Sequence, residues 1–458
     1  MRGCADRTLG TGDRMTDDAQ RNASTALQGD AALIRAIGSF ALTAAVMNII
    51  VGGGIFRMPS ALSAQMGAAA PLALVAGALA IIPIALCFAA IGSRAAATGG
   101  PYTYLTATFG PFSGFIAGAL MWVSNVTSSA GVAAALSVQV ANLQPFFAQP
   151  VPRGLLLTVV YAVLFALNAY GVKLGARAIT TLAALKLTPL FLLAGIGLFF
   201  VDWGNVSFAI GDVPSLSALG AGMVLVMFAY SGMETALVPS GEVRDPSRSV
   251  PRATMVAILL VVVLYLSLQV VGQGVLGAQL ATSGVPIADT AGALWSPGRL
   301  LLLLTAIVSM TGFLLGNLLG SSRLLFALGR DGFLPHAYAN VSAKHRVPLL
   351  ALATHAGLGL LLALGGSFDA LALISGGAIC LVYVLVSIAA WRGQRINLRE
   401  RGEPFVLPGG PAIPLLAVVA MIAIVATLTS KEWLAIGIAM VVLVAIYGAL
   451  KVLRRRRS

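Results

Sequence analysis

The sequence predicts an all-α polytopic membrane protein, and three observations predict it. Of the 458 residues, 58% are apolar and only 10% charged, with a mean hydropathy of +0.93, whereas a soluble globular chain is roughly half apolar and a quarter charged. Twelve apolar stretches are long enough, at about 20 residues, to cross a hydrocarbon core of about 30 Å. Two of them carry glycine breaks, which an uninterrupted membrane helix would not tolerate.

Residues 1–37 are polar and mixed in charge and lack the apolar core of a signal peptide, so they are expected to form a disordered cytoplasmic tail. The apolar stretches follow at 38–64, 68–92, 112–140, 154–170, 177–201, 217–239, 252–276, 299–328, 348–365, 369–391, 411–429 and 432–451. The longest connections, 202–216 and 277–297, are rich in Gly, Pro, Asp and Ser and read as loops. A basic loop at 392–410 precedes the last two spans, and a basic tail at 452–458 ends the chain.

Orientation follows from Lys and Arg, which accumulate in short cytoplasmic loops. With the N-terminus inside, 24 of the 29 basic residues fall on the cytoplasmic side. Arg153, Arg299 and Lys431 fall outside, and Arg57 and Lys186 fall within spans. Both termini are therefore expected in the cytoplasm, with the chain in the cell membrane. The net charge of +13 is distributed over loops instead of one face, which argues against nucleic acid. Cys4, Cys87 and Cys380 have no metal-like spacing and the three histidines are scattered, so no metal site and no cofactor is expected. There is no nucleophile elbow, P-loop or selectivity-filter motif, which sets aside an enzyme, an ATP-driven pump and a channel.

The first break is Asn48-Ile-Ile-Val-Gly-Gly-Gly-Ile-Phe-Arg-Met-Pro59. Gly52, Gly53, Gly54 and Pro59 disfavour a continuous helix, and a freed backbone group in hydrocarbon costs several kcal/mol unless something binds it. The second break, in Val226-Met-Phe-Ala-Tyr-Ser-Gly-Met-Glu-Thr235, comes five spans later. Either alone would read as a packing kink; a pair in corresponding halves points to a transporter's midplane site. Because the first span runs outward, the half-helix after Gly54 presents free N–H groups and its positive dipole end to an anion such as a carboxylate. The sixth span runs inward, so its first half ends near Phe228–Ser231 with free carbonyls suited to an ammonium group. Together they describe an α-amino acid.

Ile50-Val-Gly-Gly-Gly-Ile-Phe56 resembles the first-span motif of the amino acid–polyamine–organocation transporters, and Phe228-Ala-Tyr-Ser-Gly-Met-Glu234 resembles their sixth-span motif. The segments Gly241–Arg252 and Ser322–Pro335 are similar to that family's loop after the sixth span and its eighth-span ending. The resemblance implies a LeuT-like core, with spans 1–5 (38–201) and spans 6–10 (217–391) as inverted repeats and spans 11–12 (411–451) behind them. It places the substrate carboxylate at the amides of Gly53 and Gly54, beside Gly52, and the amino group at the carbonyls of Ile50, Phe228 and Ser231, beside Gly232. Phe228 takes the position of an aromatic gate, and Asn125 and Asn317 match side-chain contacts in the third and eighth spans.

Ionisable groups at bilayer depth are costly and usually functional. The resemblance matches Lys186 to a fifth-span lysine that stands in for sodium in sodium-independent relatives, where it would donate to freed carbonyls of the first break; buried there, it is also a candidate proton carrier. It makes Glu234 a candidate proton carrier or network anchor. Arg57 departs from the apolar residue of relatives and is expected either to line an outer vestibule or to snorkel outward. The implied function is sodium-independent secondary transport of neutral L-amino acids by alternating access, as a proton symporter or an exchanger. A polyamine or basic amino acid antiporter is the alternative. The expected partners are the substrate, the bilayer and coupled protons, with monomer and homodimer equally open.

Overall fold

The computed structural model describes residues 38–95, 100–170, 176–237, 243–342, 347–399 and 403–455. The expected N-terminal tail, residues 456–458 of the basic C-terminus, part of the 392–410 loop and the start of the Gly241 motif lie outside the described residues.

Among the described residues the main elements are α-helices: α1 (Ser39–Ile50), α2 (Met58–Met66), α3 (Ala70–Arg94), α4 (Pro101–Phe109), α5 (Pro111–Leu143), α6 (Pro150–Ala169), α7 (Ala176–Gly197) and α8 (Leu216–Tyr230). They continue as α9 (Met233–Ala236), α10 (Pro246–Leu276), α11 (Pro286–Leu294), α12 (Ser296–Arg330), α13 (Leu349–Gly365), α14 (Phe368–Arg395), α15 (Ala412–Val425) and α16 (Ser430–Arg455). Helix is the expected form because it satisfies every interior backbone group within the segment. Helices α4, α5, α6, α10 and α11 each open on a proline, where the missing N–H would have no intrahelical partner anyway.

Each of the twelve apolar stretches falls on one helix, except the first and sixth, which split into α1 with α2 and α8 with α9. Nine helical stretches among the described residues are long and apolar enough to cross a membrane, counting α2 with α3 and α8 with α9 as continuous. Three shorter apolar helices, α1, α13 and α15, accompany them.

Two segments differ from the sequence reading. The connection 277–297, expected to be loop, holds α11, whose Ile287, Ala288 and Ala291 are buried and whose Asp289 pairs with Arg299 at 3.0 Å. The connection before the third span holds α4. Both are nine residues long, too short to register as spans, and their flanking Gly and Pro read as turns.

Four of the five pairs of stretches five apart, the first with the sixth through the fourth with the ninth, pack on each other. Helix α3 packs on α10, α5 on α12, α6 on α13, α2 on α8 and α1 on α9. Helix α14 lies against both α5 and α8, and α15 and α16 pack behind it. The outer faces stay apolar: Val151 is 81% exposed and Val441 68%, a surface suited to lipid and not to water.

Candidate functional site

Helix α1 stops at Ile50, and the chain passes through Val51, Gly52 and Gly53 before the turn Gly54–Phe56 leads into α2. The carbonyls freed by this break are served from three other helices. Lys186 on α7 donates its Nζ to the oxygens of Asn48 at 2.6 Å and Val51 at 2.7 Å. Tyr265 on α10 donates to Ile50 O at 3.0 Å, and Ser309 on α12 to Gly52 O at 2.7 Å and Val51 O at 3.2 Å. An unpaired carbonyl would cost far more here than at a wet surface, which is why polar side chains sit on otherwise apolar helices. On the donor side, the amides of Gly53 and Gly54 have no acceptor among the described residues. Glycine is needed at Gly53 for a close approach, because a Cβ there would lie 2.4 Å from Val132 on α5.

At the second break α8 ends on Tyr230, Ser231 is extended, and Gly232 sits at φ +127° before α9 begins. That backbone region is closed to most side chains. It also brings Gly232 against the first break, since an added Cβ would lie 3.1 Å from Ile50 N. The Glu234 carboxylate, 2% exposed, accepts from the Gly232 amide at 2.9 and 3.0 Å and from the Tyr383 hydroxyl at 3.0 Å. Phe228 O accepts from the amide of Ser231 at 3.3 Å and its hydroxyl at 2.6 Å.

Of the carbonyls expected to receive an ammonium group, Ile50 O and Phe228 O thus already have donors within the protein. Ser231 O has none among the described residues.

Beside the breaks lies a cavity of about 60 Å³ lined by Asn48, Ile49, Ser124, Asn125, Ser128, Ser231, Gly232, Glu234, Thr235, Phe313 and Asn317, with Gly312 and Gly316. One water needs about 10–15 Å³ on this measure, so the space suits a few waters or a small polar group. Asn125, Ser231, Gly232, Glu234 and Asn317 meet there. Ile50, Gly52, Gly53, Gly54, Phe228 and Lys186 are not in the lining. Phe228 instead meets Phe368 edge-on, ring centres 5.7 Å apart, and reaches within 3.3 Å of where a Gly54 side chain would begin.

Arg57 is paired within the protein. It stands 3.7 Å from the Asp369 carboxylate at the start of α14 and donates to Ser60 Oγ at 2.7 Å and Ser283 O at 2.5 Å.

Sequence reasoning did not single out Asn48, Ser124, Ser128, Ser309, Thr235, Tyr265, His355 or Tyr383. A signal was present. Ser309, Gly312, Phe313, Gly316 and Asn317 recur at helical three- and four-residue spacing along α12, so its small and polar residues mark one face. Ser124 and Ser128 do the same on α5.

The family profile described as amino acid permease matches residues 37–450. The chain belongs to the amino acid permease family. Its similar proteins include the serine/threonine exchanger SteT of Bacillus subtilis (strain 168), 28% identical over 88% of this chain and 93% of the relative. The branched-chain amino acid permease BcaP of the same organism is 26% identical over 86% of this chain and 88% of the relative. The b(0,+)-type amino acid transporter 1 of Mus musculus is 24% identical over 86% and 83%. These permeases are transporters and not enzymes.

Proposed function

We propose that the protein is a secondary transporter of neutral L-amino acids in the cell membrane, with twelve crossings, both termini cytoplasmic and two five-span inverted repeats. The packing of four of the five pairs of stretches five apart supports the repeat. The observation that carries the substrate reading is the meeting of the two breaks, at Gly232 and Ile50, with the unaccepted amides of Gly53 and Gly54 on one side and Ser231 O on the other. Amides and dipole would hold a carboxylate, and the carbonyl would accept from an ammonium group. Asn125, Ser128 and Asn317 add uncharged polar contacts at the neighbouring cavity, which favours a neutral side chain. Relatives named as a serine/threonine exchanger and a branched-chain amino acid permease agree with that class. A polyamine or basic side chain would need a free carboxylate, and Glu234 is already bound to Gly232 and Tyr383.

Sodium independence rests on Lys186. Its ammonium occupies the first-break carbonyls of Asn48 and Val51. A sodium ion about 4 Å away would meet a repulsion of about 4 kcal/mol at an effective dielectric of 20. The test is initial uptake of a labelled amino-acid panel into proteoliposomes, in sodium and in choline buffer, with and without internal amino acid and a pH gradient. Neutral amino acids should enter at equal rates in both buffers. A strict sodium requirement, or arginine or lysine as the best substrate, contradicts the reading.

A further inference from the structure

We infer that His355 is a positioning residue that aims the amide donor of Asn317 into the cavity, so that the site selects side chains carrying a hydrogen-bond acceptor over aliphatic ones of the same shape. The inference rests on the proposed function and adds a substrate class to it.

Asn317 lies on α12 and lines the cavity, while His355, on α13, is fully buried outside that lining. His355 Nε2 stands 3.0 Å from Asn317 Oδ1, and its other ring nitrogen, Nδ1, has no partner among the described residues. A neutral imidazole has one N–H and one lone pair, and the hydrogen bond made by one nitrogen selects the tautomer. With the proton on Nε2, only a lone pair is left unpartnered. With the proton on Nδ1, a buried N–H would have no acceptor, the rarer and costlier arrangement. Nε2–H therefore donates to Asn317 Oδ1. Ser321, one turn further along α12, brings its hydroxyl to the same oxygen at 3.5 Å.

Held through Oδ1, the Asn317 amide has only its NH₂ left to present. No acceptor for that Nδ2 exists among the described residues, and the Glu234 carboxylate across the cavity is already engaged. A threonine side chain would place its hydroxyl oxygen against this donor. Valine, its isostere, would leave the donor desolvated and unpaired, and sites built around a hydrogen bond reject analogues that lack it.

The experiment measures inhibition by threonine and by valine of labelled neutral amino acid uptake in proteoliposomes, for the native protein, His355→Leu and His355→Gln. Threonine should inhibit the native protein about tenfold better than valine. In His355→Leu the ratio should fall toward one through weaker inhibition by threonine, with the valine constant and the maximal rate kept. His355→Gln, whose amide N–H can donate to the same oxygen, should recover part of it. An unchanged ratio in His355→Leu overturns the inference and leaves the proposed function standing. If His355→Leu does not fold, the native ratio decides, since equal inhibition by threonine and valine overturns the inference by itself. Failure of the native protein to take up any amino acid removes the proposed function and this inference together.

Discussion

Lys186 and Gly232 carry the sharpest consequences at the scale of single residues. Lys186→Ala would leave the Asn48 carbonyl without its side-chain donor and Val51 O with only the longer contact from Ser309, a loss of about 1–3 kcal/mol for a conformation that holds this geometry. The maximal uptake rate should drop about tenfold or more while substrate binding persists, and Lys186→Arg should rescue poorly because a planar guanidinium needs more room. Initial rates over a range of substrate concentrations separate the two quantities. Gly232→Ala would force a side chain into φ +127° and against Ile50. That strain costs about 1–3 kcal/mol, so the purified variant should melt at a visibly lower temperature than the native protein. Gly232 was legible as a break in the sequence. The resemblance places Gly232 and Ile50 at one site; what could not be read was how closely the two backbones approach, because that distance depends on packing and not on local pattern.

At the scale of elements, α9 begins under the Glu234 carboxylate, and Tyr383 of α14 completes the arrangement. An anchor of this kind needs an acceptor and not a charge. Glu234→Gln, which keeps an acceptor oxygen, should therefore retain most uptake, whereas Glu234→Ala should lose it. Abolished proton-driven uptake in Glu234→Gln, with binding intact, would instead make Glu234 the proton carrier. The Arg57–Asp369 pair joins α2's entry turn to α14 at a partly exposed position, with 23% and 46% of the two side chains accessible. Exposed pairs contribute about 0–1 kcal/mol. Asp369→Asn should accordingly leave the melting temperature nearly unchanged, and a large drop would show that the pair holds the fold. The partner of Arg57 was not readable from sequence, since Asp369 lies more than 300 positions away. Helices α4 and α11 were missed for a different reason: nine residues between Gly and Pro carry too little periodicity to separate helix from turn.

For the whole molecule, composition, span length and the two glycine breaks made the helical membrane architecture legible, because hydrocarbon leaves few ways to satisfy a backbone. The site was legible in part. Asn125, Ser231, Gly232, Glu234 and Asn317 come together at one cavity, while two of the three expected ammonium acceptors, Ile50 O and Phe228 O, are bound internally. Side chains such as Tyr265 and Ser309 are ordinary in sequence and acquire their role only when packing sets them against a freed carbonyl. The central claim is that an α-amino acid is recognised through backbone groups at the breaks, and competition by altered substrates tests it most directly. Uptake of a transported amino acid should be inhibited by the unlabelled compound and not by its carboxamide or its decarboxylated amine at a hundredfold excess. Equal inhibition by the decarboxylated amine would contradict recognition of a carboxylate at Gly53 and Gly54.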